Sequence, residues 1–341
     1  MESKKGFTKK RKIIMAGILA AAMLVGSLSL YAAFLTHKIN QTIDHIAAPE
    51  TTEAPSFSGN NITLSQTVKA ESKPLTFLLA ATDEREGSEG SLNTDVMMLF
   101  RIDPQTHQGT VVSIPRDLEV EAAKSGLETS HKANYFYAYY YNKNKNTALN
   151  ETKNLFSHVY QVPIDYMSVI NFDGFRKLID QLGGMTVNVD MDMRYQDDSD
   201  GTDINLKKGL QLLDGKQVLD YIRYRKSNMG TAESSDTVRN QREQFVLNEL
   251  LNKLTSLNGI TAWGGILDII GSSIKTDIPS EELRTMTKSY RELKPATVQY
   301  IHLDGEWESP YLVVKQQDLD DAFAALRGEN SLSIDSQVRT D

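Results

Sequence analysis

The sequence predicts an α/β protein: a layered α/β/α domain with a central mixed sheet flanked by helices, preceded by one transmembrane helix. Three observations predict it. A charge-free apolar run of 23 residues, Ile13–Leu35, stands near the N-terminus. Beyond it come short, nearly apolar runs such as Leu75–Ala81, the pattern of strands inside a sheet. Helical stretches with one apolar side follow, and strands alternating with helices build layered domains.

The first run decides the topology. A bilayer core needs roughly 20 apolar residues in a helix, whereas a cleavable signal core has about 7–15, so run length favours a retained span over a cleaved signal. Lys4, Lys5, Lys9, Lys10, Arg11 and Lys12 precede it against Glu2, a local +5. Basic flanks stay cytoplasmic, which places everything after Lys38 outside the cell. The chain therefore divides into a cytoplasmic tail (1–12), a membrane helix (13–35), an extracellular stalk (36–73) with Pro49 and Pro55, a catalytic domain (74–327) and a polar, disordered tail (328–341).

Within the domain, Leu75–Ala81 reads as a strand buried on both faces. Val96–Ile102 and Thr110–Ile114 are two more, joined by the turn-rich segment 103–109. Tyr166–Asn171 is a fourth, leading into a helix from about Gly174 to Leu182 that Gly183-Gly184 closes. Val187–Val189 resumes the sheet. Ser234, Ser235 or Asp236 caps a helix reaching about Ser256, with Val246, Leu247, Leu250, Leu251 and Leu254 on one side.

Composition excludes several functions. The net charge of −8 leaves −13 for the chain after its basic tail, so no basic face is offered to nucleic acid. No cysteine is present, which rules out disulfides, thiol catalysis and Cys-ligated zinc and suits the exterior of a bacterium that does without disulfides. His-Glu-x-x-His, Gly-x-Ser-x-Gly and Walker motifs are all missing. The acidic loop Asp197–Asp203 lacks acids at the first and last positions of a calcium loop, where Gln196 and Lys207 stand, and reads as solvated.

What remains is charge placed repeatedly at element ends. Asp83 and Arg85 follow the first strand, Asp95 opens the second, and Arg116 and Asp117 follow the third after Pro115. In extended backbone, Arg223 and Arg225 would project from one face. Arg239 and Glu243 share a helix face four residues apart. Singly, each has an ordinary explanation, since strand ends are exposed and a surface Arg–Glu pair is worth under about 1 kcal/mol. Together they suit a pyrophosphate, whose oxygens planar guanidinium groups bind two at a time. Two nearby carboxylates suit Mg²⁺, which takes one or two of them and leaves the rest to phosphate and water.

At these residues the chain resembles the LytR–CpsA–Psr family of cell-wall assembly enzymes. The resemblance runs from about Leu75 to Ser256, in order. Phe77–Arg85 and Thr94–Leu99 look like the first two blocks. Ser113-Ile114-Pro115-Arg116-Asp117 is the most specific piece, and Lys132 with Asn134 resembles a Lys-Leu-Asn block. Asn171–Phe175, Asp180–Gly184, Leu213–Leu219, Tyr221–Arg225 and Asp236–Glu243 complete the series.

The resemblance implies transfer of a glycopolymer, such as wall teichoic acid or capsular polysaccharide, from an undecaprenyl-pyrophosphate carrier to peptidoglycan. A phosphodiester forms at a muramic acid hydroxyl and undecaprenyl phosphate leaves. By motif position, Asp83 and Asp95 would bind Mg²⁺, while Arg85, Arg116, Lys132, Arg223, Arg225 and Arg239 would grip the pyrophosphate. Asp117 would either orient an arginine or help deprotonate the acceptor. Phe172, Phe175, Leu178, Leu219, Phe245 and Val246 are candidates for the wall of a polyprenyl channel, with plain core packing as the alternative.

Two departures stand out. Glu243 occupies a position where the family usually has glutamine. Residues 135–141, Tyr-Phe-Tyr-Ala-Tyr-Tyr-Tyr, are more aromatic than the usual block and either stack on sugars or fill a helix face. Two other functions fit the same residues: hydrolysis of the lipid pyrophosphate, and a non-enzymatic envelope-linked regulator.

Overall fold

The computed structural model describes residues 33–47, 73–83, 92–198, 201–255, 263–289 and 295–329. The expected cytoplasmic tail, residues 13–32 of the expected span, most of the stalk and residues 330–341 lie outside them, as does Arg85. Among the described residues no helix is long and apolar enough to cross a membrane.

A six-stranded mixed sheet forms the centre. β1 (Leu75–Thr82), β2 (Thr94–Asp103) and β3 (Gln108–Ser113) run antiparallel, an arrangement that short turns permit. After β4 (Glu119–Val120) and β5 (His131–Lys132), which pair as a ribbon, β6 (Tyr166–Asn171) joins β1 in parallel. β7 (Met185–Val189), β8 (Met193–Asp197), β9 (Thr202–Leu206) and β10 (Gly209–Leu213) stand apart as two further ribbons. β11 (Ile274–Thr276) and β12 (Thr297–His302) close the two edges, giving the order β11-β6-β1-β2-β3-β12. A last hairpin is built from β13 (Glu306–Glu308) and β14 (Tyr311–Val313).

Helices cover both faces, as the layered reading expects. One core joins Leu78, Ala80, Leu99 and Val112 of the sheet to Phe136, Phe156 and Phe323 from three helices. A second gathers Phe172, Ile179, Leu219, Tyr224 and Val246 with the β7–β10 ribbons. The helix after β6 spans Phe172–Gln181, capped by Asn171 Oδ1 accepting from the Gly174 amide at 2.7 Å. Ser235 Oγ accepts from Val238 N at 3.2 Å and opens the helix Asp236–Thr255.

Four expectations need correction. β1 is buried on one face only: Thr76, Leu78, Ala80 and Thr82 are enclosed, while Leu75, Phe77, Leu79 and Ala81 are half-buried. Val187–Val189 does not resume the main sheet but pairs with β10, because its partner is supplied locally across a hairpin-like return. Residues 36–46, expected as stalk, are helical and packed on the domain: Ile43 is buried, Thr42 Oγ1 donates to the Leu267 carbonyl at 3.3 Å, and Lys38 pairs with Asp268 at 2.6 Å. Arg223 is not in extended backbone, since it ends the helix Gly215–Arg223; the chain becomes extended only at Tyr224, and Arg225 lies beyond the helix in no strand. The signal for that helix lies in Asp214-Gly215-Lys216-Gln217, a capping box in which Asp214 Oδ1 accepts from Gln217 N at 2.8 Å and Gln217 Oε1 from Asp214 N at 3.0 Å.

Candidate functional site

Asp83 is the residue following β1, and Asp95 is the second residue of the neighbouring antiparallel strand β2. Ala81 pairs with Val96 and Thr82 with Thr94, so Asp95 is the extra residue of a β-bulge. A bulge bends its strand and re-aims a side chain. Here the bulged Asp95 reaches Arg116 at 2.9 Å.

Pro115 ends β3, and the Leu118 amide donates to the Pro115 carbonyl at 3.0 Å, placing Arg116 and Asp117 at the centre of a turn. The segment after β5 pins this turn: Asn134 N donates to Arg116 O at 3.1 Å and Ala133 N to Leu118 O at 2.8 Å. Lys132 thereby reaches Asp117.

The side chains form a chain of alternating charge. Arg116 Nη1 lies 2.9 Å from Asp95 Oδ1 and its Nε 3.4 Å from Asp117 Oδ2. Lys132 Nζ is 2.8 Å from Asp117 Oδ1, and Arg225 Nη1 is 3.8 Å from Asp117 Oδ2. Arg223 Nη2 lies 3.5 Å from Asp83 and 3.9 Å from Asp95, so one nitrogen serves both carboxylates. The Arg223 guanidinium also lies over the Phe172 ring at 5.1 Å.

Electrostatics follow from this crowding. Burial works to raise the Asp117 carboxyl, but the Lys132 hydrogen bond and the Arg116, Lys132 and Arg225 charges prevail and hold it below the usual carboxylate value. Burial works to lower Arg116, while Asp95 and Asp117 raise it, so the guanidinium stays charged. Asp220 is tuned the other way: burial raises it despite the Lys216 ammonium at 2.6 Å.

Two adjoining cavities of about 230 and 370 Å³ open on this cluster. Asp95, Arg116, Arg225, Arg239 and Glu243 line both. A third, of about 340 Å³, is lined by Asp83, Arg223, Phe172 and Leu219. The structure thus brings together every described polar residue singled out from the sequence, with Lys132 reaching the cluster through Asp117.

The apolar candidates divide. Phe172 and Leu219 border the third cavity, Phe175 is half-buried against the second core, and Leu178 and Val246 are enclosed. Phe245 is 40% exposed, unlike these two. In the aromatic run, Phe136 and Tyr137 fill the helix face toward the first core, so packing accounts for these two.

Two residues escaped the sequence reading. Asp220 lines the first and third cavities. Arg242 is 2% exposed and forms a fork with Asp190, Nε to Oδ1 at 2.9 Å and Nη2 to Oδ2 at 2.7 Å, while Nη1 reaches the Tyr224 carbonyl at 3.5 Å. It fixes the backbone between Arg223 and Arg225. The polar stretch around it offered no signal, since nothing in Arg239–Arg242 spacing marks which arginine turns inward.

Fold and cluster together define an α/β protein with a cleft lined by paired arginines and aspartates beside its central sheet. The LytR_cpsA_psr family pattern matches residues 33–328, and the chain belongs to that family. Among its relatives are proteins named polyisoprenyl-teichoic acid–peptidoglycan teichoic acid transferase TagU. That of Bacillus licheniformis is 28% identical over 292 residues, covering 86% of each chain. That of Oceanobacillus iheyensis is 28% identical over 337 residues, covering 95% of this chain and 97% of the other. Among solved structures, Bacillus subtilis TagV shares 25% identity at a TM-score of 0.57, covering 75% of this chain and 97% of its own. TagT bound to LI-WTA has the same fold at a TM-score of 0.55 and 22% identity, covering 75% and 90%.

Proposed function

We propose that this protein transfers a glycopolymer from an undecaprenyl-pyrophosphate carrier to peptidoglycan at the outer face of the membrane, in the manner the TagU relatives' names describe for teichoic acid. The observation that carries the reading is the convergence of Arg116, Lys132, Arg223 and Arg225, from three separate stretches of chain, on Asp83, Asp95 and Asp117 beside one open cleft.

In this reading Arg116, Arg223, Arg225 and Arg239, with Lys132 and Arg85, hold the pyrophosphate oxygens. Transfer of a phosphoryl group depends mainly on positioning and charge neutralisation. The acceptor hydroxyl forms a new O–P bond at the phosphorus carrying the polymer, the bridging P–O bond breaks, undecaprenyl phosphate departs and the hydroxyl proton is released. Asp117, held ionised by three cations, is a weak base and serves to orient Arg116, Lys132 and Arg225. Phe172 and Leu219, beside Asp83 and Arg223, start a path for the prenyl tail, and the half-buried face of β1 extends the apolar surface available to it.

Asp83 and Asp95 fit Mg²⁺, because both carboxylates approach a single point, the Arg223 nitrogen, and no third acid is required when phosphate completes the shell. The ion would neutralise charge on the pyrophosphate.

The test is direct. The purified full chain with Mg²⁺, a lipid-linked polymer and peptidoglycan oligomers should give a joined, phosphodiester-linked product. Release of phosphate products with no joined species would replace transfer by hydrolysis.

A further inference from the structure

The β13–β14 hairpin contributes one large side chain to the cleft that the charge chemistry does not use. Trp307 lines the larger of the two adjoining cavities and is 59% exposed. Covering the exposed part of an indole with an apolar face is favourable, so this ring offers binding energy to an occupant of the cavity.

Its placement is fixed by the site itself. Trp307 pairs with Leu312 across the hairpin, and the Leu312 amide donates to the Asp117 carbonyl at 2.8 Å. Tyr311 Oη donates to the Ser130 carbonyl at 2.7 Å, anchoring the same strand. Gly305 starts the hairpin where an added Cβ would come within 2.6 Å of the Val313 carbonyl oxygen, so the turn into β13 is close-packed. Lys132, which bonds Asp117, stands over the indole ring at 5.5 Å from its centroid. The ring is therefore held against the cluster rather than hanging free.

We propose that Trp307 is a sugar-binding subsite that stacks on a pyranose ring of the acceptor glycan, resting on the transfer reading above. The axial C–H groups of a pyranose make a flat, slightly positive apolar face that matches the negative face of an indole. Charge selects the acceptor over the donor polymer. Asp304 is exposed and lines the same cavity as Trp307, a negative charge that disfavours a phosphate-rich chain there and tolerates a sugar ring without phosphate.

The chain has two tryptophans, Trp263 and Trp307, which permits a test independent of turnover. In the full-length Trp263→Phe protein, Trp307 is the sole indole. Soluble peptidoglycan glycan fragments should shift or quench its emission saturably. In transfer assays, Trp307→Ala should raise the KM for acceptor about tenfold, with kcat and the donor KM within about twofold, and Trp307→Phe should restore most of the loss. Emission that ignores the fragments, or a defect confined to the donor KM, overturns the subsite. Saturable emission from a protein that joins no polymer leaves the subsite standing and removes the transfer reading instead.

Discussion

Arg116 Nη1 donates to Asp95 Oδ1 across 2.9 Å, tying the turn behind β3 to the bulge of β2. The same carboxylate lies 3.9 Å from Arg223, so one aspartate registers guanidinium groups from two distant parts of the chain. Removing either partner should cost activity before it costs the fold. Arg116→Ala and Asp95→Ala are each expected to lower the transfer rate by about 1,000-fold or more, with circular dichroism and Tm close to those of the native protein. Near-native turnover in either variant would take that residue out of the site.

Asp117 sets a pH dependence whose sign follows from its depressed carboxyl. Its stabilising contribution is complete above the ordinary carboxylate value of 3.8 and is lost as pH falls through the lower folded value. The Tm difference between the native protein and Asp117→Asn should therefore be constant at neutral pH and close progressively as pH drops below about 4. A difference that grows in acid would contradict the ion-pair account.

Arg242 acts on the cleft only through backbone, by gripping Asp190 and the Tyr224 carbonyl. Arg242→Ala should destabilise the domain by about 2 kcal/mol, read as a lower urea midpoint at unchanged m-value. Arg242→Lys should recover little, because an ammonium cannot reproduce a two-point fork. Full recovery by lysine would show that charge alone matters there.

Glu243 places a negative charge among Arg116, Arg225 and Arg239 at both adjoining cavities. Glu243→Gln should tighten binding of a short-chain prenyl pyrophosphate about fivefold at low salt, with the gain shrinking as ionic strength rises. Calorimetric titration of the two proteins decides it; an unchanged or weaker Kd for the glutamine variant counts against repulsion.

Much of this protein was legible in its sequence. The strands β1, β2, β3 and β6, the layered class and the charged residues at element ends all follow from local rules, because apolar runs and turn residues act within a few positions of themselves. The order of the motif blocks was enough to identify the family. Yet alternation could not show that one face of β1 stays half-open, since that depends on how closely helices from elsewhere settle on the sheet. Nor could it place Arg223 on a helix end instead of a strand, where the capping box that begins at Asp214 governs the backbone.

The assembly of the cleft belongs to tertiary structure alone. The sequence supplied aspartates and arginines as an unordered set. Packing then chose Asp95 as the bulged residue, buried Arg242, left Phe245 exposed, and carried Trp307 to within reach of Lys132 through a hairpin bonded to Asp117. The physical reason is range: propensity and periodicity act over a turn or two of chain, whereas a charge cluster needs residues more than a hundred positions apart to share one few-ångström space.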